Sequence, residues 1–338
     1  MTIVRWLARA ALAILLLAVG ALVGLSLLDA GSDAGQVRRG LAVALACLTV
    51  AAGVSVLLAR GRRWLLPAFG VAVASTLVWY ATIQPAGDRE WTPDVAQAPW
   101  AAIDGDLITI HNVRHFAWRT EADFTPRWET RTVDLRQLAG VDLVASYWMG
   151  DAIAHVLVSF EFADAPPLAV SIETRKEVGE AYSTVLGFFK RYELVYVVAD
   201  ERDLIGVRTN VRADPPEDVY LYRVQAPPEN ARRLFLEYIH QMNELREQPQ
   251  FYNTATTNCT TMVLINNRVN GAISLLNWKI LLSGYLPQLV YEHGRLDQSL
   301  PFAELRQRSR VNDAARAAGI DAADFSQRIR AGLPGFAG

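Results

Sequence analysis

The sequence predicts an α+β domain carried behind three membrane-spanning helices. Long charge-free stretches near the start, period-two runs through the middle and helical-period runs in the last third support this reading.

The 338-residue chain has no charged residue in 10–28, 41–59 or 64–85, stretches of 19, 19 and 22 residues. A helix rises about 1.5 Å per residue, so roughly 20 residues cross a hydrocarbon core about 30 Å thick. Residues 1–87 therefore read as a membrane anchor with three transmembrane helices, and a wholly soluble protein is excluded. The anchor holds seven Arg and two Asp, a net of +5, and the whole chain is at −2. Residues 88–338 thus carry −7, from 26 basic and 33 acidic side chains. An acidic soluble part with no basic tract argues against a nucleic-acid partner. Its 251 residues are enough to bury one sizeable core.

Arg5 and Arg9 precede the first apolar run, as in a secretory signal peptide. That run is longer than the usual apolar region of a signal, and Leu25-Ser-Leu-Leu-Asp29 makes a poor cleavage site, so a retained helix is the stronger reading. With the N-terminus inside, the cytoplasmic flanks hold five Arg and the external loop two, Arg38 and Arg39. Lys and Arg favour the cytoplasmic side. Three crossings then place the C-terminal domain on the periplasmic or exterior side of the cytoplasmic (inner) membrane.

Residues 88–104 read as a polar, Pro-bearing linker. Beyond it, Glu129-Thr-Arg-Thr-Val-Asp-Leu135 alternates polar and apolar. His155-Val-Leu-Val-Ser-Phe-Glu-Phe162 and Leu168-Ala-Val-Ser-Ile-Glu-Thr174 flank a segment with the length and residues of a hairpin loop. β character continues through 193–199, 204–209 and 218–224. The period then changes. Pro227-Pro-Glu-Asn230 opens a helix to about Glu247, with Leu234, Tyr238 and Met242 at helical spacing. Asn258 is a good N-cap and Gly271 a good terminator for a helix of about three turns between them. More helix is expected at 278–291, 301–318 and 322–331.

Of the two cysteines, Cys47 lies mid-membrane and Cys259 in the soluble part, so they form no disulfide framework. A lone thiol in an oxidising compartment is a liability unless it is buried or has a job. Cys259 falls in the first turn of its helix, where unpaired N–H groups and the helix dipole stabilise a thiolate. Two readings stay open: a nucleophile, or a small buried core residue. His155 starts a strand whose Val156, Val158, Phe160 and Phe162 share one face and whose Leu157, Ser159 and Glu161 join it on the other. It is either a base that reaches a helix start or a rim histidine with one backbone partner. Ser171 and Glu173, on the neighbouring strand, are the residues that could orient it. Arg175 and Lys176, in a dense charge run after that strand, are either solvated surface or a site for a polar headgroup. Arg202, Arg208 and Arg212 receive no role from pattern alone.

No metal or cofactor is expected. His111 and His115 have the spacing of a helical zinc pair, but their surroundings read as strand. There they stand about 13 Å apart at ~3.3 Å per residue. His240 and His293 read as exposed helix residues.

Several words resemble the Lnb N-terminal periplasmic domain family, long listed as a domain of unknown function. They are Asn112-Val-Arg-His-Phe116, Asp123-Phe-Thr-Pro126, Trp128-Glu-Thr-Arg131, the His155 strand, Ser171-Ile-Glu-Thr-Arg-Lys-Glu177, Tyr196-Val-Val-Ala-Asp-Glu-Arg-Asp203 and Phe251-Tyr-Asn253 with Asn258-Cys-Thr-Thr261. The resemblance implies a catalytic domain over 105–275, with 276–338 as a C-terminal helical extension. It is also similar to permuted papain-like folds, including acyltransferases that carry acyl chains on such a cysteine. The family takes its name from an intramolecular lipoprotein transacylase, so the resemblance implies acyl-thioester chemistry using Cys259 and His155; from its place on the neighbouring strand, Glu173 is expected to orient His155. Backbone N–H groups around Asn258 and Thr260 would hold the oxyanion. The expected function is a membrane-anchored cysteine acyltransferase or thioesterase acting on lipid or lipoprotein acyl chains. A cell-wall cysteine peptidase and a non-enzymatic scaffold domain are its rivals. The scaffold predicts a Cys259 that is buried and out of reach of His155.

Overall fold

The computed structural model describes residues 2–31, 35–59, 64–271 and 277–336. Asp33, the basic loop 60–63 and the expected boundary at 275/276 lie outside the described residues. The chain divides into two compact units.

One unit contains Met1–Ala86, Ala181–Glu193 and Gln250–Thr254. Its three helices are α1 (Thr2–Asp29), α2 (Gln36–Leu58) and α3 (Leu65–Thr82), each long and apolar enough to cross a membrane by length and composition. α1 and α2 begin ahead of their charge-free stretches because Arg5, Arg9, Arg38 and Arg39 lie inside the helices, where long side chains can reach the interface. The helices meet through Leu16, Val23, Leu27, Ala42, Leu45, Ala52 and Phe69. A Cβ at Gly20 would lie 2.3 Å from Thr49 Oγ1, so glycine is what lets these backbones approach. Ile14, Leu22, Val43, Val50, Val71 and Val78 point outward, the pattern of a lipid-facing surface. Arg38 closes the end of α1, its Nε donating to Leu27 O at 2.9 Å and its Nη2 to Ala30 O at 2.6 Å.

The other unit contains Gly87–Glu180, Leu194–Pro249 and Ala255–Gly338. Among its described residues is an eight-stranded sheet. Its strands are β1 (Trp100–Asp104), β2 (Leu107–Arg114), β5 (Trp128–Asp134), β6 (Leu138–Tyr147), β7 (Ala154–Phe162), β8 (Leu168–Arg175), β9 (Glu193–Asp200) and β10 (Asp218–Arg223), while β3 (Ala117–Trp118) and β4 (Phe124–Thr125) pair separately. The order is β1-β2-β9-β8-β7-β6-β10, with β5 also on β2. Trp100–Asp104, assigned to the linker by composition, is therefore a sheet strand, antiparallel to β2. The expected hairpin is β7–β8, antiparallel with Phe160 opposite Leu168.

Both faces of the sheet are covered. On one, Phe160 and Phe162 meet Phe235 edge-on, and Phe160 also meets Tyr238, both from α4 (Pro228–Glu247). On that same face, Val156 and Leu143 pack with Leu264 of α5 (Cys259–Asn266), Ile280 of α6 (Trp278–Leu281) and Leu286 and Leu289 of α7 (Leu286–Glu292). On the opposite face, Leu157, Val144 and Val219 join Val311, Ala315 of α9 (Asn312–Ala318), Phe325 and Ile329 of α10 (Phe325–Arg330), and Leu333. The final helices thus contribute to the central core, and α8 (Phe302–Arg308) adds Leu305 beside Tyr222 of β10. The long helices expected at 278–291 and 301–318 are each broken in two.

The stretch 204–209, read as strand, belongs instead to a π-helix, Arg202–Val211. Ile205, Val207 and Thr209 are β-formers, which misled the pattern. Asp203 through Thr209 are all buried, so no wet face remains to display helical periodicity.

Candidate active site

Cys259 is the first residue of α5, and the turn around it is fixed by a reciprocal cap. Asn258 Oδ1 accepts from the Thr260 and Thr261 N–H groups at 2.9 Å each, and the Asn258 N–H donates back to Thr261 Oγ1 at 2.9 Å. The Thr260 amide, expected to face an oxyanion, is therefore used by the cap. The Cys259 N–H is left without an acceptor among the described residues.

His155 stands at the start of β7. The β7–β8 ladder runs from Phe160↔Leu168 to Leu157↔Ser171, and the recorded pairing goes no further. The Cys259 sulfur lies close enough to His155 for their charges to interact, and its hydroxyl neighbour is Thr260 Oγ1 at 3.9 Å. Cys259 is half-buried. His155 Nε2 lies 2.6 Å from Ser171 Oγ and 3.2 Å from Glu173 Oε1. The Ser171 hydroxyl donates to Glu173 Oε1 at 2.6 Å, so it accepts from the ring and passes the contact on. Strand pairing accounts for this, since continuing the Leu157↔Ser171 register puts Glu173 across from His155.

The electrostatics are mutual. Burial works against a charged ring, yet the Glu173 carboxylate and the Cys259 sulfur push His155 up to about 9. Burial would raise the Glu173 carboxyl, but the His155 imidazolium and Arg208 hold it well below the usual carboxylate range. Burial would likewise raise the Cys259 thiol; His155 and the Val156 N–H bring it below its ordinary value. The arrangement favours a thiolate beside an imidazolium.

Sequence reasoning missed what stands behind Glu173. Arg208, from the π-helix, is buried and donates to Glu173 Oε1 at 3.1 Å and to Leu204 O at 2.7 Å. Its Nε lies 3.7 Å from Glu217, which in turn binds Arg212 and Ser146. Charges therefore alternate from Cys259 through His155, Glu173, Arg208 and Glu217 to Arg212. No local signal announces Arg208, which lies 35 residues from Glu173 in a segment that reads as strand.

Other expected contributors are placed elsewhere. Arg175 clamps the chain before β1, donating to Val95 O at 3.1 Å and Ala96 O at 2.8 Å while lying over the Trp91 ring. Lys176 lies 4.0 Å from Asp94. Both are thus engaged with that segment rather than displayed for a headgroup. His111 stacks on Trp100 with ring centroids 3.9 Å apart, whereas His115 lies 3.9 Å from Asp200. The two imidazoles have different partners, and no cluster of metal-ligating side chains occurs among the described residues. His240 and His293 are exposed.

Residues 124–284, a little under half of the chain, match the family model of the Lnb N-terminal periplasmic domain. The match supports the resemblance carried by the sequence words and includes His155, Ser171, Glu173, Arg208 and Cys259. With the three apolar helices it fits a membrane-anchored protein with a periplasmic domain. No curated protein and no solved structure matched the chain in the same comparisons.

Proposed function

We propose that this chain is a multi-pass, inner-membrane cysteine acyltransferase or thioesterase whose permuted papain-like domain works on lipid or lipoprotein acyl chains outside the cytoplasm. The observation that carries the reading is the Cys259 sulfur at a capped helix start, its charge coupled to an imidazole that Ser171 and Glu173 hold. A scaffold would not need its thiol left partly accessible in such a setting.

With Nε2 taken by Ser171 and Glu173, Nδ1 is the nitrogen that serves the sulfur. The Cys259 thiolate attacks the ester carbonyl, and a carbon–sulfur bond forms. Charge developing on the carbonyl oxygen is met by the Cys259 N–H and the positive end of α5. As the carbon–oxygen bond breaks, His155 gives its proton to the departing alkoxide, leaving a thioester on Cys259. An amine or water then attacks. His155 takes its proton, the carbon–sulfur bond breaks, and thiolate and imidazolium are restored. An amine acceptor gives transfer and water gives hydrolysis. Glu173 keeps the ring oriented and its charge stabilised through both halves.

The test is to trap the intermediate. Full-length protein in vesicles containing a diacylglyceryl lipopeptide should gain one fatty acyl mass on the peptide bearing Cys259, and neutral hydroxylamine should remove it. Cys259→Ala should show none and lose activity by on the order of 10⁴-fold or more. An unmodified Cys259 under turnover, with full activity in Cys259→Ala, would overturn the reading.

A further inference from the structure

The membrane unit contains a segment that no helix prediction captures. Ala181–Glu193 forms a strap packed with the helix ends in the same compact unit. Lys190 Nζ donates to Tyr80 O at 3.0 Å and Ile83 O at 2.9 Å, capping the end of α3. The Gly31 N–H, just beyond α1, donates to Lys190 O at 2.9 Å, and Arg191 Nη1 donates to Gly31 O at 3.3 Å. The strap thus ties together the ends of α1 and α3, which must lie on one side of any bilayer they cross.

Its backbone is well fixed. Thr254 donates from its N–H to Gly187 O at 3.1 Å and from its hydroxyl to Thr184 O at 2.8 Å. The Tyr192 hydroxyl donates to Ala181 O at 2.7 Å and accepts from the Ser183 N–H at 2.9 Å. A Cβ at Gly187 would stand 2.3 Å from Thr254 Oγ1, so glycine permits this packing. Yet the apolar side chains of this ordered strap face outward. Tyr182, Val185 and Phe188 are 47%, 56% and 45% exposed. Residues 181–192 contain no acidic side chain, and the two basic ones lie at the helix ends. A water-exposed loop has no reason to hold large apolar groups outward in a fixed shape.

We infer that the strap is a monotopic membrane contact, with Tyr182, Val185 and Phe188 seated in the interfacial lipid of the extracytoplasmic leaflet. The occupant is lipid because the surface continues the ends of α1 and α3, whose own outward faces are apolar. Trp79 and Tyr80 near the end of α3 supply the aromatic residues typical of that depth. The apolar tip suits the acyl–glycerol boundary, while Lys190 and Arg191 are engaged with the helix ends beside it. This inference does not depend on the chemistry of Cys259.

The test uses the full chain with Cys47→Ser and Cys259→Ser, reconstituted in vesicles of phosphatidylethanolamine and phosphatidylglycerol. A nitroxide is attached at Val185→Cys, separately at Phe188→Cys, and at Asp164→Cys on the exposed β7–β8 turn as the aqueous reference. Collisions with oxygen, which concentrates in lipid, are compared with collisions with a water-soluble nickel chelate. The oxygen-to-nickel ratio should be several-fold higher at both strap positions than at the reference. A reference-like ratio at both positions would overturn the inference. So would protection from both reagents, which would mean a protein partner covers the strap. Because the side chains are exposed, neither substitution removes core packing, and the two positions check each other.

Discussion

One face of β7 carries two buried clusters of charge that differ in one respect. At its start, His155 joins Cys259, Ser171, Glu173 and Arg208. Farther along the same face, Ser159 donates to Glu201, which pairs with Arg330, and Arg330 in turn grips Asp142 at 2.6 Å. Asp142 also meets Arg223 at 2.8 Å, and Arg223 reaches Glu161 of β7 itself. Asp142 and Glu201 are fully buried, and this cluster consists of arginines and carboxylates that pair with one another in charge. The cluster at His155 instead ends on a half-buried thiol beside an amide with no acceptor among the described residues. The same residue types make a staple where the chain of charges closes, and a candidate site where it ends on a nucleophile.

The comparison breaks most visibly at Arg330. Arg330→Met leaves Asp142 and Glu201 buried without their shared cation and should cost about 3–5 kcal/mol of stability. At roughly 2–4 °C per kcal/mol, the soluble unit should unfold about 6–20 °C earlier, as read by thermal scanning of the full chain. Acyl trapping on Cys259 by the protein that remains folded should be little changed. Loss of trapping without loss of stability would mean that the two clusters are not separate in role.

A smaller effect is expected at Glu173, in the other currency. Glu173→Gln keeps the shape but removes the charge that raises and orients His155. Turnover should fall roughly 10²-fold, the scale of a misdirected acid–base group. Stability should change far less than in Arg330→Met, since Glu173 retains some exposure and Arg208 keeps its contacts with Glu217 and Leu204 O. An unfolding shift as large as that of Arg330→Met would make the His155 cluster another staple.

The sequence made one of these clusters partly legible and the other not at all. Cys259 was visible because an N-cap and a terminator are local signals that bracket a helix, and the cap has the geometry its residues imply. His155, Ser171 and Glu173 were visible because a hairpin with a short loop sets its own register. Arg208 and Arg330 were hidden because long-range ion pairs leave no spacing to read. Asp142 and Arg330 are 188 residues apart. The covering of both sheet faces was hidden too. Ser159 and Glu161 suggested a wet face, and only the packing of α9 and α10 against it shows how burial and polarity are reconciled. For the same reason the C-terminal helices read as an extension although they complete the core.

The finest test of the contrast is pH, because only the cluster that ends on a thiol should show a reactive window. Below its ordinary range the Cys259 thiol already gives up its proton to His155, and His155 keeps a proton up to about 9. Thiolate and imidazolium therefore coexist between the depressed cysteine value and about 9, and turnover should rise through the first and fall through the second. The same sign governs stability. The folded His155 value lies above its ordinary 6.5, so the stability from its proton is complete below about 6.5 and is lost as pH rises through about 9, whereas the lowered Cys259 and Glu173 values contribute stability that is lost as pH falls through them. Iodoacetamide should alkylate Cys259 at neutral pH, with Cys47 in the apolar α2 helix as an internal control. In His155→Ala, burial is no longer opposed by the imidazolium and the thiol rises, so alkylation at neutral pH should slow by about tenfold for each unit of rise. Cys259 that stays inert in the folded chain and reacts only after denaturation would remove the nucleophile, and the whole of β7 would then carry structural charge.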